Sequence, residues 1–165
     1  MLDVIQLPLG AYRTNCYLVA REGASAAAVI DPGDAPDTVL SVLADRAWEA
    51  AGVLLTHGHH DHLGAVRRVA EAAGVDVWMP RGEAGDLRGL AAGPYEPDHL
   101  LDGGELVSVA GIDFDTTPVP GHSPRRSPTT PRGTCSPATC SSPDRSAAPT
   151  SPAATWPRCS RASAG

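Results

Sequence analysis

The sequence predicts an α/β fold, on three observations. The first 31 residues read as short strands separated by turns. From about residue 37, helix-spaced stretches alternate with apolar, strand-like runs. A turn-linked pair of short runs then closes the patterned part of the chain at residues 106–116. Mixed layers of sheet and helix in one domain are the arrangement that 165 residues of this kind can fill.

Each element has its own signal. Leu2 to Leu7 alternates in hydropathy, as a half-buried strand does. Asn15 to Ala20 and Ala26 to Asp31 are apolar runs on either side of a polar turn at 21–25. Asp31-Pro-Gly-Asp34 ends the third strand. A helix is expected from about Asp37 to Glu49, with Val39, Leu40, Leu43 and Ala47 on one face and Gly52 as its stop. Val53 to Thr56 reads as a buried strand leading into a histidine cluster. A second helix is expected to begin near Asp61 or Leu63 and to reach Ala73, with Gly74 after it. Val75 to Met79 is the next strand, and residues 81–100 read as a short helix and a loop. Leu106 to Ala110 and Ile112 to Thr116 flank Ala110-Gly111 as a hairpin, and Pro118 to His122 leaves it.

Composition narrows the class. Hydrophobic residues make up 42%, enough for a core, but aromatics are only 4%, so that core rests on Val, Leu, Ile and Ala. No apolar run approaches the roughly 20 residues of a membrane span. The start lacks a basic segment followed by an apolar one, so no secretory signal is read. The expectation is a soluble, cytoplasmic protein with no membrane partner. A net charge of −6 argues against nucleic acid as a partner.

The charge is unevenly spread. Residues 1–124 carry 7 Arg and 18 acidic residues, whereas residues 125–165 carry 6 Arg and one acid, Asp144. Those last 41 residues contain no Val, Ile, Leu, Met, Phe or Tyr, so they cannot build a core face and ordered structure is not expected there. The division is therefore a domain at 1–124 and a low-complexity tail at 125–165. Cys16 lies in a strand and is expected to be packed; Cys135, Cys140 and Cys159 belong to the tail.

The chemistry is concentrated at residues 57–62, His-Gly-His-His-Asp-His. Imidazole nitrogen and carboxylate oxygen are zinc donors at about 2.0–2.2 Å. Alternate residues of an extended loop point the same way, so His57 and His59 can grip one ion. Asp61 and His62 come later and can face a second. His60, out of phase, is the expected non-ligand. A lone histidine is usually a surface or core residue. Five of six histidines, however, lie in or near this one site, if His122 is counted with it. His99 matches no motif and is expected on the surface.

Thr56-His-Gly-His-His-Asp-His-Leu-Gly64 resembles the His-x-His-x-Asp-His signature of the metallo-β-lactamase superfamily. Thr14 to Val19 and Val29 to Gly33 are similar to the opening strands of its glyoxalase II-like branch, and Pro120-Gly-His-Ser-Pro124 resembles a later ligand loop. The resemblance covers residues 1–124. It implies an αββα sandwich, here incomplete at its C-terminal end. It also implies a site in which His57, His59 and His122 hold one metal and Asp61 and His62 a second, with Asp61 the catalytic residue of the set. Asp31 is implied as the group orienting a ligand imidazole; from spacing alone it is equally a turn residue before Pro-Gly. The implied cofactor is zinc, one or two ions, with iron or manganese possible. The implied reaction is hydrolysis of a small-molecule hydroxyacyl thioester by metal-activated water. A mono-iron persulfide dioxygenase and an inactive remnant are the two alternatives.

The resemblance also implies a bridging aspartate and a last histidine after His122. No histidine follows His122, and the surroundings of Asp144 do not resemble the bridging segment. A shifted reading frame is the hypothesis that accounts for this. With suitable synonymous codons, the frame starting one base before that of Cys135 to Thr150 reads Leu-Phe-Ser-Gly-Asp-Leu-Leu-Phe-Ala-Gly-Ser-Val-Gly-Arg-Thr-Asp. That string resembles the bridging-aspartate region, and its first aspartate falls at Thr139. In such a shift two bases of every new codon are set by the observed residue, which leaves little room for coincidence. The implied consequence is impaired metal binding and activity in this chain.

Overall fold

The computed structural model describes residues 1–84 and 95–117, and the backbone of 134–135. Six strands form one sheet in chain order: β1 (Leu2–Leu9), β2 (Thr14–Arg21), β3 (Ala26–Ile30), β4 (Glu49–Leu54), β5 (Val77–Pro80) and β6 (His99–Leu101). The first three run antiparallel to one another. From β3 to β6 the pairing is parallel. Parallel neighbours need crossovers, and α1 (Pro36–Asp45) carries the chain from β3 to β4. The crossover from β4 to β5 contains α2 (His60–Leu63) and α3 (Val66–Ala73). A second sheet holds β7 (Leu106–Val109), β8 (Ile112–Thr117) and β9 (Thr134–Cys135).

The two faces of the large sheet bury different things, because side chains alternate along a strand. Leu18, Ala27, Val29 and Val53 pack on one face with Val39 and Leu43 of α1 and Val66, Val69 and Ala70 of α3. Tyr17, Val19, Ala28, Ile30 and Leu54 point to the other, against Val107, Val109, Ile112 and Phe114. Among the described residues the layers thus run helix, sheet, sheet. The second helical layer of the expected αββα sandwich is not found among the described residues.

Several expected boundaries move. The first helix stops at Asp45 rather than Glu49. Ala47 takes a left-handed φ of 53° and Trp48 N–H returns to Leu43 O at 2.8 Å, which turns the chain early. Strand β4 therefore starts at Glu49, and Gly52 lies inside it instead of stopping a helix. A Cβ at Gly52 would run into the Trp78 ring and Val109. The second helix is broken in two, because Ala65 N–H bonds Pro32 O at 3.0 Å. Its end at Ala73 is where expected, with Gly74 at φ 67°. The next strand begins at Val77, not Val75, whose N–H still bonds Ala70 O of α3.

The tail also holds a small exception. Thr134–Cys135 pairs with Thr116 and Thr117 of β8, although no ordered structure is expected after residue 124. Main-chain pairing to an open strand needs no apolar side chain, which composition alone cannot register.

Candidate metal centre

Three parallel strands end along one edge of the large sheet, and the segments leaving them build the centre. Asp31 follows β3, Thr56 to His59 follow β4, and a 3-10 turn, Arg81–Glu83, follows β5. The C-terminal edge of a parallel sheet is where such side chains can converge without breaking the ladder. The fit is close: a Cβ at Gly33 would collide with the carbonyl of Asp61.

Asp31 is 1% exposed and has a φ of 50°, a left-handed conformation that non-glycine residues rarely adopt. That turn aims its carboxylate inward. Oδ1 accepts the Thr56 N–H at 2.8 Å, and Oδ2 accepts the Thr56 hydroxyl at 2.6 Å. Oδ2 also lies 2.9 Å from His62 Nδ1, at ion-pair distance but not aligned as a hydrogen bond. Burial works to lower the His62 imidazole pKa, but the Asp31 and Asp61 carboxylates together raise it above its ordinary value.

The Thr56 hydroxyl sets the tautomer of His57. Its one proton goes to Asp31, so toward His57 Nδ1, 2.9 Å away, it can only accept. Nδ1 therefore carries the proton and Nε2 presents a lone pair. That Nε2 lies 3.0 Å from His59 Nδ1. The His62 ring is 4.1 Å from the His57 ring, centre to centre. Asp61 Oδ2 accepts the Thr14 hydroxyl at 2.6 Å and lies 3.8 Å from His62 Nε2. Burial works to raise the Asp61 carboxyl, yet the Thr14 bond and the neighbouring His62 hold it below the usual range.

The remaining predicted residues divide. His60 is exposed, its ring edge-on to Tyr12 at 5.3 Å. His99 is exposed, paired with Asp76 at 2.8 Å and stacked on Trp78. Cys16 is fully buried, and burial pushes its thiol far up. His122 lies outside the described residues. Sequence reasoning missed Glu83, whose carboxylate accepts the Gly58 N–H at 2.8 Å. No motif signals a residue 25 positions away in another turn. The roles of Thr56 and Thr14 were missed too, although Thr56 directly precedes the histidine run.

Chemically the donor set suits a divalent ion. An ion needs unprotonated nitrogen, which His57 Nε2 supplies. The 3.0 Å between His57 and His59 nitrogens is close to the roughly 3.3 Å separating two donors on a tetrahedral ion with bonds near 2.0 Å. The pair fits as part of a ligand set. Among the described residues, no three His, Cys, Asp or Glu side chains close around a single point.

A layered α/β sandwich with imidazoles and carboxylates gathered at its parallel strand ends is the framework of the metallo-β-lactamase fold. Residues 9–128 match the metallo-beta-lactamase superfamily, and the chain belongs to that family. It is 35% identical over 123 residues to a hydroxyacylglutathione hydrolase of Pseudomonas paraeruginosa, covering 74% of this chain and 43% of that protein. An uncharacterized protein of Aquifex aeolicus is 31% identical over 128 residues, covering 72% and 60%. Among solved structures, the BLEG-1 B3 metallo-beta-lactamase superposes with a TM-score of 0.67 at 27% identity, covering 81% of this chain and 65% of that one. TTHA1623, in a di-iron-bound form, gives a TM-score of 0.56 at 30% identity, with 74% and 64% covered. The chain thus spans less than half the length of the hydroxyacylglutathione hydrolase it matches.

Proposed function

We propose that this chain is a metal-dependent hydrolase of small hydroxyacyl thioesters, with activity reduced by its altered C-terminal segment. The supporting observation is the 35% identity to a hydroxyacylglutathione hydrolase across the part of the chain that carries residues 57–62. A bound divalent ion would supply acidified water and polarise the thioester carbonyl. His57, His59 and His122 are the residues proposed to hold one ion, and Asp61 and His62 a second. Asp31 and Thr56 hold the imidazoles in register. Asp61, its carboxylate favoured in the ionised form by the Thr14 bond and the neighbouring His62, is the proposed catalytic residue of the set. Zinc is the proposed ion. Among the described residues no helix is long and apolar enough to cross a membrane, and a cytoplasmic location remains part of the proposal.

The test is a substrate panel on the purified full chain. Slow zinc-dependent hydrolysis of a hydroxyacyl-glutathione thioester, with no cleavage of a β-lactam, is the expected pattern. Preferential β-lactam cleavage would sink the thioester reading. Two tightly held ions per chain by metal analysis would contradict the proposed impairment.

A second reading is kept by one observation: ETHE1 from Myxococcus xanthus superposes with a TM-score of 0.59 at 25% identity, covering 74% of this chain and 51% of that one. If this chain carries one iron and consumes oxygen with a persulfide substrate, the dioxygenase reading replaces the hydrolase. A protein inert toward both substrates is the remnant reading.

A further inference from the structure

The metal loop has a support that its own motif does not contain. Gly58, between His57 and His59, is buried, and a buried backbone N–H must find a partner. It donates to Glu83 Oε2 at 2.8 Å. The topology makes this meeting possible. Strand β5 is the parallel neighbour of β4, with Val53 opposite Val77 and Leu54 opposite Trp78. Leu55 N–H continues the ladder to Trp78 O at 2.9 Å. The turn leaving β5 therefore runs beside the loop leaving β4, and its third residue, Glu83, meets Gly58.

We propose that Glu83 is a positioning residue that clamps the backbone between His57 and His59 and so holds the two imidazoles at the spacing one ion requires. The inference rests on the metal-centre reading above. A carboxylate accepting a backbone N–H makes a charge-assisted bond, stronger than a neutral one. Removing it leaves the Gly58 N–H buried and unpaired, and the loop is then driven to turn that group toward water. Displacing the backbone between His57 and His59 changes how far apart their rings lie. The 3.0 Å approach of the two nitrogens is what is lost. Glutamine in place of Glu83 still offers an acceptor oxygen; alanine does not.

Zinc affinity of the full chain, measured by competition with a chelating dye, tests this in wild type, Glu83→Gln and Glu83→Ala. Loss of an outer-shell partner should weaken zinc about 10- to 100-fold in Glu83→Ala. Glu83→Gln should recover most of that loss. Unchanged affinity in Glu83→Ala, or an equal loss in both variants, overturns the clamp. A lowered melting temperature of metal-free Glu83→Ala with unchanged zinc affinity would show a merely structural role and also overturn it. Amide exchange of Gly58 in the metal-free wild type provides an independent readout. Protection of that amide is expected, and exchange as fast as solvent-exposed loop amides overturns the proposal. If wild type holds no zinc, the metal-centre reading fails by itself, and the exchange result alone decides the clamp.

Discussion

Thr56 donates its hydroxyl to Asp31 Oδ2 at 2.6 Å, and this bond fixes which nitrogen of His57 is free of a proton. The pair acts as a two-step relay from a buried carboxylate to the candidate ligand. Thr56→Val keeps the shape of the side chain and removes the hydroxyl. Zinc affinity is expected to fall about 10- to 100-fold, as for other outer-shell partners, with Thr56→Ser retaining most of it. Nitrogen chemical shifts of His57 would check the tautomer directly. Protonation at Nε2 in metal-free wild type would contradict the relay.

Asp31 itself is expected to matter for stability. Asp31→Ala leaves the Thr56 N–H without its acceptor in a buried place, at a cost of about 1–3 kcal/mol in urea unfolding. Asp31→Asn should cost less, because asparagine tolerates the left-handed φ of 50° and keeps an acceptor oxygen. Equal losses in the two variants would show that charge, rather than geometry, carries the effect.

Gly33 is expected to reject any side chain. The Cβ of Gly33→Ala meets the Asp61 carbonyl, so the metal loop must shift. A lowered melting temperature together with weakened zinc binding is the expected result, with overpacking costing about 1–3 kcal/mol. A variant as stable as wild type would show that the strand-end packing is looser than described.

Cys16 is expected to be inert toward thiol reagents in the native protein. Burial, with the Asp31 charge adding to it, pushes the thiol up. A group raised on folding contributes stability below its unfolded pKa and loses it as pH climbs. Stability should therefore decline once pH passes the ordinary thiol value of about 8.5. Cys16→Ser should leave the native labelling count unchanged and lower the denatured count by one. Native labelling that falls by one in the variant would refute this.

The shifted frame is decided by DNA. The nucleotide sequence across codons 120–165 should encode, one base earlier, the Leu-Phe-Ser-Gly-Asp string. Any other reading of that frame ends the hypothesis.

Much of the fold was legible in sequence because strand alternation and helical spacing report burial directly. Leu2 to Leu9 and the hairpin around Ala110-Gly111 fall close to where hydropathy put them. Boundaries failed where backbone decided instead: Ala47 turns left-handed without being glycine, and Pro32 O captures Ala65 N–H and splits a helix. The histidine run was visible because its residues are adjacent in sequence. Glu83 was not, because only the parallel pairing of β4 and β5 brings it to Gly58.

The most direct measurement is hydrolysis of a hydroxyacyl-glutathione thioester by the purified chain with added zinc, compared with His57→Ala and with chelated protein. The expected result is slow turnover in wild type that chelation abolishes, zinc restores and His57→Ala lacks. Turnover that survives chelation or His57→Ala, or no turnover at any zinc concentration, would contradict the proposed function.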